Sequence, residues 1–149
     1  MVDPGRVRRL LDALARCRRL LEPLRDLQTE VYVREEAFSG RYLVQACAQC
    51  CIDIANHVIA SSGWRTPSDF ADAFTVLEEN RVLDSELAKR MRRLAGLRNR
   101  LVHIYEEIDD RIVHESLAEG LQDLSLYARA VARLVDGDPS PPGETSPVS

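Results

Sequence analysis

Arg41-Tyr42-Leu43-Val44-Gln45-Ala46-Cys47-Ala48-Gln49-Cys50-Cys51-Ile52-Asp53-Ile54-Ala55-Asn56-His57-Val58-Ile59-Ala60-Ser61 is the stretch that decides the fold. Leu43, Val44, Cys47, Cys50, Cys51, Ile54, Val58 and Ile59 recur at helical spacing but cover more than one face. An amphipathic surface helix has one apolar stripe, so a broader one means burial on two sides. The segment reads as the central helix of a bundle. Ser61-Ser62-Gly63 ends it.

Helical patterns extend in both directions. Pro4, a good first-turn residue, starts a helix through Leu10, Leu11, Leu14, Cys17, Leu20, Leu21 and Leu24, which Pro23 should end or bend. Thr29 to Ser39 reads as a short helix or loop, punctuated by Gly40. Thr66-Pro67-Ser68 starts a helix carrying Phe70, Phe74 and Leu77. Asp84 is the expected N-cap of the next, through Leu87, Met91, Leu94 and Leu101. Asp109-Asp110 opens the last, with Val113, Leu117, Leu121, Leu124, Ala128, Val131 and Val135 on one stripe. Nothing reads as strand. The expected fold is all-α, an up-and-down bundle of four to five helices over residues 1–136, with residues 137–149 a disordered Pro-rich tail.

Composition sets outer bounds. Hydrophobic content of 45% with 30% charged residues suits one globular domain of 149 residues. No apolar run approaches the roughly 20 residues that span a bilayer. The basic N-terminus lacks the apolar region of a secretory signal, so a cytoplasmic location with reduced Cys17, Cys47, Cys50 and Cys51 is expected. The formal net charge of -4 gives no global sign of nucleic-acid binding. Yet Lys89, Arg90, Arg92, Arg93, Arg98 and Arg100 crowd together, and a local basic patch can hold a phosphate backbone.

That patch runs into Arg98-Asn99-Arg100-Leu101-Val102-His103-Ile104-Tyr105. A guanidinium that stays protonated neutralises phosphate, and an imidazole that titrates near neutrality moves protons. Arg98 also takes a slot in the Met91, Leu94, Leu101, Tyr105 stripe where an apolar side chain is expected. The bland readings are a solvated basic face, a surface His103, and an Arg98 ion-paired with a carboxylate such as Asp53. Asn99 shares a face with His103 and can orient it, or simply hydrogen-bond locally. Arg98 and His103 lie five apart, about 140° around a regular helix. One phosphate is gripped by both only if the helix ends or distorts between them, or if two subunits share the site. Gly96, costly by about 1 kcal/mol inside a helix, suggests close approach by another helix of the chain or by a second subunit.

Other candidates are weaker. Gln45, Gln49, Asp53 and His57 form a polar line that either supports the site or is a satisfied buried network. Cys47, Cys50 and His57 invite a zinc reading, but a lone Cys-x-x-Cys lacks a second ligand pair, so neither metal nor cofactor is expected. Glu106, Glu107, Asp109 and Asp110 are better explained by a turn and a helix start, and His114 by exposure.

The chain resembles the HepT toxins of the HEPN superfamily, whose hallmark is Arg-x4-His-x-Tyr, here Arg98 to Tyr105. Arg41 to Gln45, Ile52 to His57, Thr66 to Phe74 and Met91 to Arg98 follow the family's order, over roughly residues 4 to 136. The resemblance implies a homodimer with two motifs in one cleft and a metal-independent endoribonuclease using Arg98 and His103, supported by Asn99. Asp53, Asn56 and His57 would stand behind them. It also implies a type VII toxin–antitoxin pairing, in which an MntA-like minimal nucleotidyltransferase transfers AMP to Tyr105. A non-catalytic helical module that binds such a partner is the alternative, and a nucleotide-binding bundle a third reading.

Overall fold

The computed structural model describes residues 2–103 and 107–137. Their helices are α1 (Pro4–Arg25), α2 (Thr29–Val31), a π-helical turn (Tyr32–Glu36), α3 (Ala37–Ser62), α4 (Phe70–Glu79), α5 (Ser85–Leu101) and α6 (Asp110–Asp136). The run from Thr29 to Ser62 is one continuous helical rod, so five helices build the described part, without strands. Tyr105 and positions 138–149 of the expected tail lie outside it.

Local chemistry sets most boundaries. Asp3, Asp69, Asp84 and Asp109 cap the starts of α1, α4, α5 and α6, each carboxylate accepting backbone N–H bonds. Gly63 and Gly137 end α3 and α6 in the left-handed region, at φ 71°. Pro23 does not end α1, which continues to Arg25. α4 begins at Phe70 rather than at Thr66, because Asp69 supplies the cap.

Partner residues give the topology. Along α1 and α6, Arg8 meets Asp136, Arg18 meets Ser125, and the Leu24 carbonyl meets His114, so these helices are antiparallel. Arg41 meets Asp110 and the Cys51 carbonyl meets Tyr127, so α3 and α6 run in the same sense. α1 packs on α3 and α6, while α5 packs on α4 and α3 and only lightly on α6. Between α5 and α6 remains an apolar recess of about 230 Å³ floored by Val44, Met91, Leu94, Leu117 and Leu121.

α3 is the central helix. It buries Val44, Cys47, Ala48, Cys51, Ile52, Ile54, Ala55, Val58 and Ile59. Its length and composition alone would suit a membrane span, with half of the apolar window covered by neighbouring helices. Burial pushes the Cys50 thiol up to about 11 and those of Cys47 and Cys51 higher still.

Two expectations are corrected by long-range packing, and of the two readings of Gly96 one loses support. Gly40 does not punctuate the helix; it lies buried inside α3, where a Cβ would overlap the Tyr32 ring, 2.6 Å from Cζ. His114 is buried, not exposed: Nε2 donates to the Leu24 carbonyl at 3.0 Å, Nδ1 meets Thr29 Oγ1 at 2.9 Å, and the ring packs 4.6 Å from that of Tyr32. Gly96 has no described atom of a neighbouring element within 4 Å of where a Cβ would be, so none of the described helices explains it.

Candidate functional site

α5 is amphipathic, burying Leu87, Ala88, Met91, Ala95 and Leu101, and this register turns Arg98 toward α3 and α4. The helix ends at Leu101, inside the Arg-x4-His spacing. Val102 N–H still donates to the Arg98 carbonyl at 3.2 Å, and His103 N–H reaches back only to Arg100, also 3.2 Å. His103 therefore lies beyond the helix and is exposed, and the 140° separation of a regular helix no longer applies to it.

Arg98 is held by three groups that carry no charge. Its Nε donates to Gln49 Oε1 on α3 at 3.1 Å, and Nη1 to Asn99 Oδ1 at 3.3 Å. The guanidinium carbon sits 5.1 Å from the centre of the Phe70 ring at the start of α4. No carboxylate of the described residues lies within ion-pair distance of it. Asp53 reaches Arg98 only indirectly, by accepting a 2.8 Å bond from Gln49 Nε2. That bond orients the amide, turning its oxygen to the guanidinium. The ion pair with Asp53 considered above is thus replaced by a relay through Gln49.

Three other arginines at the helix seams are neutralised. Arg41 makes two bonds to Asp110, of 2.7 and 2.6 Å. Arg90 meets Asp123 at 2.8 Å, and Arg92 meets Glu78 at 2.9 Å. The basic stretch before the motif is therefore in part a set of structural ion pairs.

The polar line on α3 divides. Gln49 and Asp53 join Arg98. His57 Nε2 faces instead the N–H of Asp3, the cap of α1, and Ser61 Oγ one turn on along α3, both at 3.4 Å. Asn56 lines a cleft of about 440 Å³ with Ile59, Trp64, Pro67 and Phe70. Phe70 thus forms a wall of that cleft and a face for Arg98. In the sequence Phe70 reads only as an apolar residue of the helix after Thr66-Pro67-Ser68, with no sign of this role. His103 follows the end of α5 and is exposed, while Tyr105 lies outside the described residues. Among the described residues no cluster of His, Cys, Asp and Glu has metal-binding geometry.

A fixed cation can hold an anionic oxygen, and an exposed imidazole can exchange a proton with such a group. Known proteins carry the same arrangement of helices. The family model for ribonuclease HepT-like proteins matches residues 10–131. The mRNA nuclease HepT of Shewanella oneidensis is 33% identical over 84 residues, covering 56% of this chain and 63% of that relative. The tRNA nuclease HepT of Aphanizomenon flos-aquae is 29% identical over 133 residues, covering 87% of this chain and 90% of that one. Among solved structures, the tri-AMPylated Shewanella oneidensis HEPN toxin in complex with its MNT antitoxin superposes with a TM-score of 0.78. It is 24% identical, with 89% of this chain and 98% of that one covered. At that identity the likeness establishes the helical fold.

Proposed function

The chain belongs to the HepT-like ribonuclease family, and on that premise we propose that it is the toxin of a type VII toxin–antitoxin pair, a metal-independent endoribonuclease acting in the cytoplasm. The observation that carries this is Arg98: a guanidinium fixed by Gln49, Asn99 and Phe70 with no carboxylate of the described residues paired to it, five residues from an exposed His103. A cation held in place before substrate arrives stabilises charge that grows on phosphate oxygens, at no cost in reorganisation.

In the proposed reaction the ribose 2′-hydroxyl attacks the adjacent phosphorus. His103 takes the hydroxyl proton or gives one to the departing 5′-oxygen, and Arg98 stabilises the negative charge on the phosphoryl oxygens. The products are a 2′,3′-cyclic phosphate and a free 5′-hydroxyl. Asn99 helps to orient Arg98. Two copies forming a homodimer would bring two His103 residues to one cleft and divide the acid and base roles between them. The exposed Gly96, with no other described helix against it, suits a second subunit there.

The partner we propose is an MntA-like nucleotidyltransferase that transfers AMP from ATP to the Tyr105 hydroxyl, releasing pyrophosphate. Tyr105 lies two residues beyond His103, so an attached AMP adds negative charge and bulk where an RNA phosphate must enter. The test is cleavage of RNA in EDTA by the wild type and by His103→Ala, each alone and co-expressed with that partner. Wild type alone should cut, leaving cyclic phosphate ends. His103→Ala should not cut, and the co-expressed wild type should be silent and heavier by whole AMP units in intact-mass spectra. Undiminished cleavage by His103→Ala rules the mechanism out. A partner-binding wild type that never cuts RNA establishes the non-catalytic alternative.

A further inference from the structure

Two helices, α1 and α5, carry a large surplus of positive charge, and on α5 Arg90 and Arg92 are consumed by ion pairs. Between Pro4 and Arg25 stand Arg6, Arg8, Arg9, Arg16, Arg18, Arg19 and Arg25 against only Asp12 and Glu22. This net surplus of positive charge sits in a chain whose formal net charge is -4. Register separates these residues from the core. Val7, Leu14 and Leu21 are the buried positions, whereas Arg6, Arg8, Arg9, Arg16 and Arg19 are exposed on the outer side. From Arg6 to Arg19 the helix advances roughly 20 Å.

Apart from Arg25, which meets Asp26 at 3.0 Å, these cations are also largely unspent. Arg18 turns inward to Ser125 at 2.9 Å, and Arg8 makes a loose 3.5 Å contact with Asp136 in which both side chains are more than half exposed. Arg6, Arg9, Arg16 and Arg19 have no carboxylate within ion-pair distance among the described residues. Elsewhere Arg41, Arg65, Arg90, Arg92 and Arg111 all do, at 2.6 to 2.9 Å. Holding like charges together without partners raises the energy of the folded chain, and a bound polyanion relieves it.

We infer that the outer face of α1 is a docking surface for the phosphate backbone of folded RNA, separate from the Arg98 site. A protein partner would need an apolar centre, and this ridge offers only Leu20. A row of guanidinium groups without such a centre matches a backbone of regularly spaced phosphates. The position of α1 selects the kind of RNA. α1 packs on α3 and α6, while α5 packs on α4 and α3, so α3 stands between the ridge and Arg98. A short single strand at Arg98 cannot touch both surfaces, whereas a folded RNA can lie along α1 and present a strand to the motif. The identity of the polyanion as RNA rests on the function proposed above; the charge argument does not.

The test is fluorescence anisotropy in the His103→Ala background, with a folded RNA hairpin longer than the bundle and a short unstructured oligonucleotide as probes. Arg9→Glu/Arg16→Glu/Arg19→Glu should weaken hairpin binding by about tenfold or more. It should also make the dependence of log affinity on log salt shallower by roughly 0.7–0.9 per lost phosphate contact. Oligonucleotide affinity and melting temperature should not change. The corresponding triple Gln variant should fall between wild type and the Glu variant, separating lost attraction from added repulsion. Unchanged hairpin affinity and salt slope overturn the proposal, even if binding of an acidic protein is lost. Equal losses for both probes also overturn it, because the surface would then not be separate. This assay needs no cleavage: a protein that binds through the ridge but never cuts RNA leaves the ridge standing and removes the nuclease reading.

Discussion

Arg41 stands on the central helix and Arg98 contacts it about two turns further on, and the two do opposite things. Arg41, on α3, meets both oxygens of Asp110 at the start of α6, and its charge is used in joining the two helices. Arg98, on α5, meets a neutral amide of α3, a neutral amide of its neighbour and the face of Phe70. The first arrangement spends a guanidinium on architecture. The second positions a guanidinium and keeps its charge. An arginine near a motif is weak evidence of function; what fixes its role is whether the groups around it are charged.

The largest effects separate the two directly. Arg98→Ala should lower RNA cleavage by about 10²- to 10³-fold, the range for loss of one preorganised charge-stabilising donor. Its melting temperature should stay close to wild type, since no ion pair is broken. Arg41→Ala should do the reverse. Loss of its charged hydrogen bonds should cost about 1.5–3 kcal/mol, toward the lower end because the Arg41 side chain is 31% exposed. Thermal melting and cleavage of the two variants side by side check this. A destabilised Arg98→Ala that still cuts RNA would erase the contrast.

Gln49→Glu turns the second arrangement into the first. A carboxylate facing Arg98 would neutralise the cation without moving it, and cleavage should fall by about tenfold, chiefly through KM, as phosphate must displace an internal anion. The introduced carboxylate would also stand one turn from Asp53, a like-charge pair costing a few tenths of a kcal/mol. Steady-state kinetics at two salt concentrations measure the effect, which should be larger at low salt. Unaltered kinetics would show that the neutrality of the Arg98 surroundings is incidental.

Legibility in the sequence divides along the same line. Asp84, Asp109 and Gly63 act on backbone groups a few residues away, so helix starts and stops at these positions follow from local chemistry. The breadth of apolar residues on α3 gave away its central place for a similar reason, being a property of one segment. Misread positions depend on partners far along the chain. Gly40 looks like punctuation until Tyr32 is seen to occupy the space its side chain would take. His114 looks exposed until Leu24 and Thr29 are brought to its two ring nitrogens. At the site, Arg98 stood out as a charge in an apolar stripe, whereas Phe70 gave no signal. Gln49 was visible only as one member of a polar line of four, of which the structure joins two to Arg98.

The smallest expected effect tests the architectural end of the comparison, beside Arg41. The Tyr32 side chain is fully buried next to Gly40, and its hydroxyl has no hydrogen-bond partner among the described residues. Burial, with the Asp110 carboxylate second, pushes its pKa up to about 12. In the unfolded chain the phenol titrates near about 10. Below that value both states hold the proton, so stability does not depend on it. Between about 10 and 12 the unfolded chain releases the proton first, and stability falls as pH rises. Tyr32→Phe removes both the unpaired hydroxyl and this titration. At neutral pH the variant should be as stable as wild type or more so, by up to about 1 kcal/mol. Above about pH 10 its advantage should widen, since only the wild type must hold back an ionising phenol there. Denaturant unfolding at pH 7 and in the alkaline range measures both terms. A Tyr32→Phe protein less stable than wild type at pH 7 would mean that the hydroxyl has a partner in solution, and that this end of the bundle is held by more than Arg41 and Asp110.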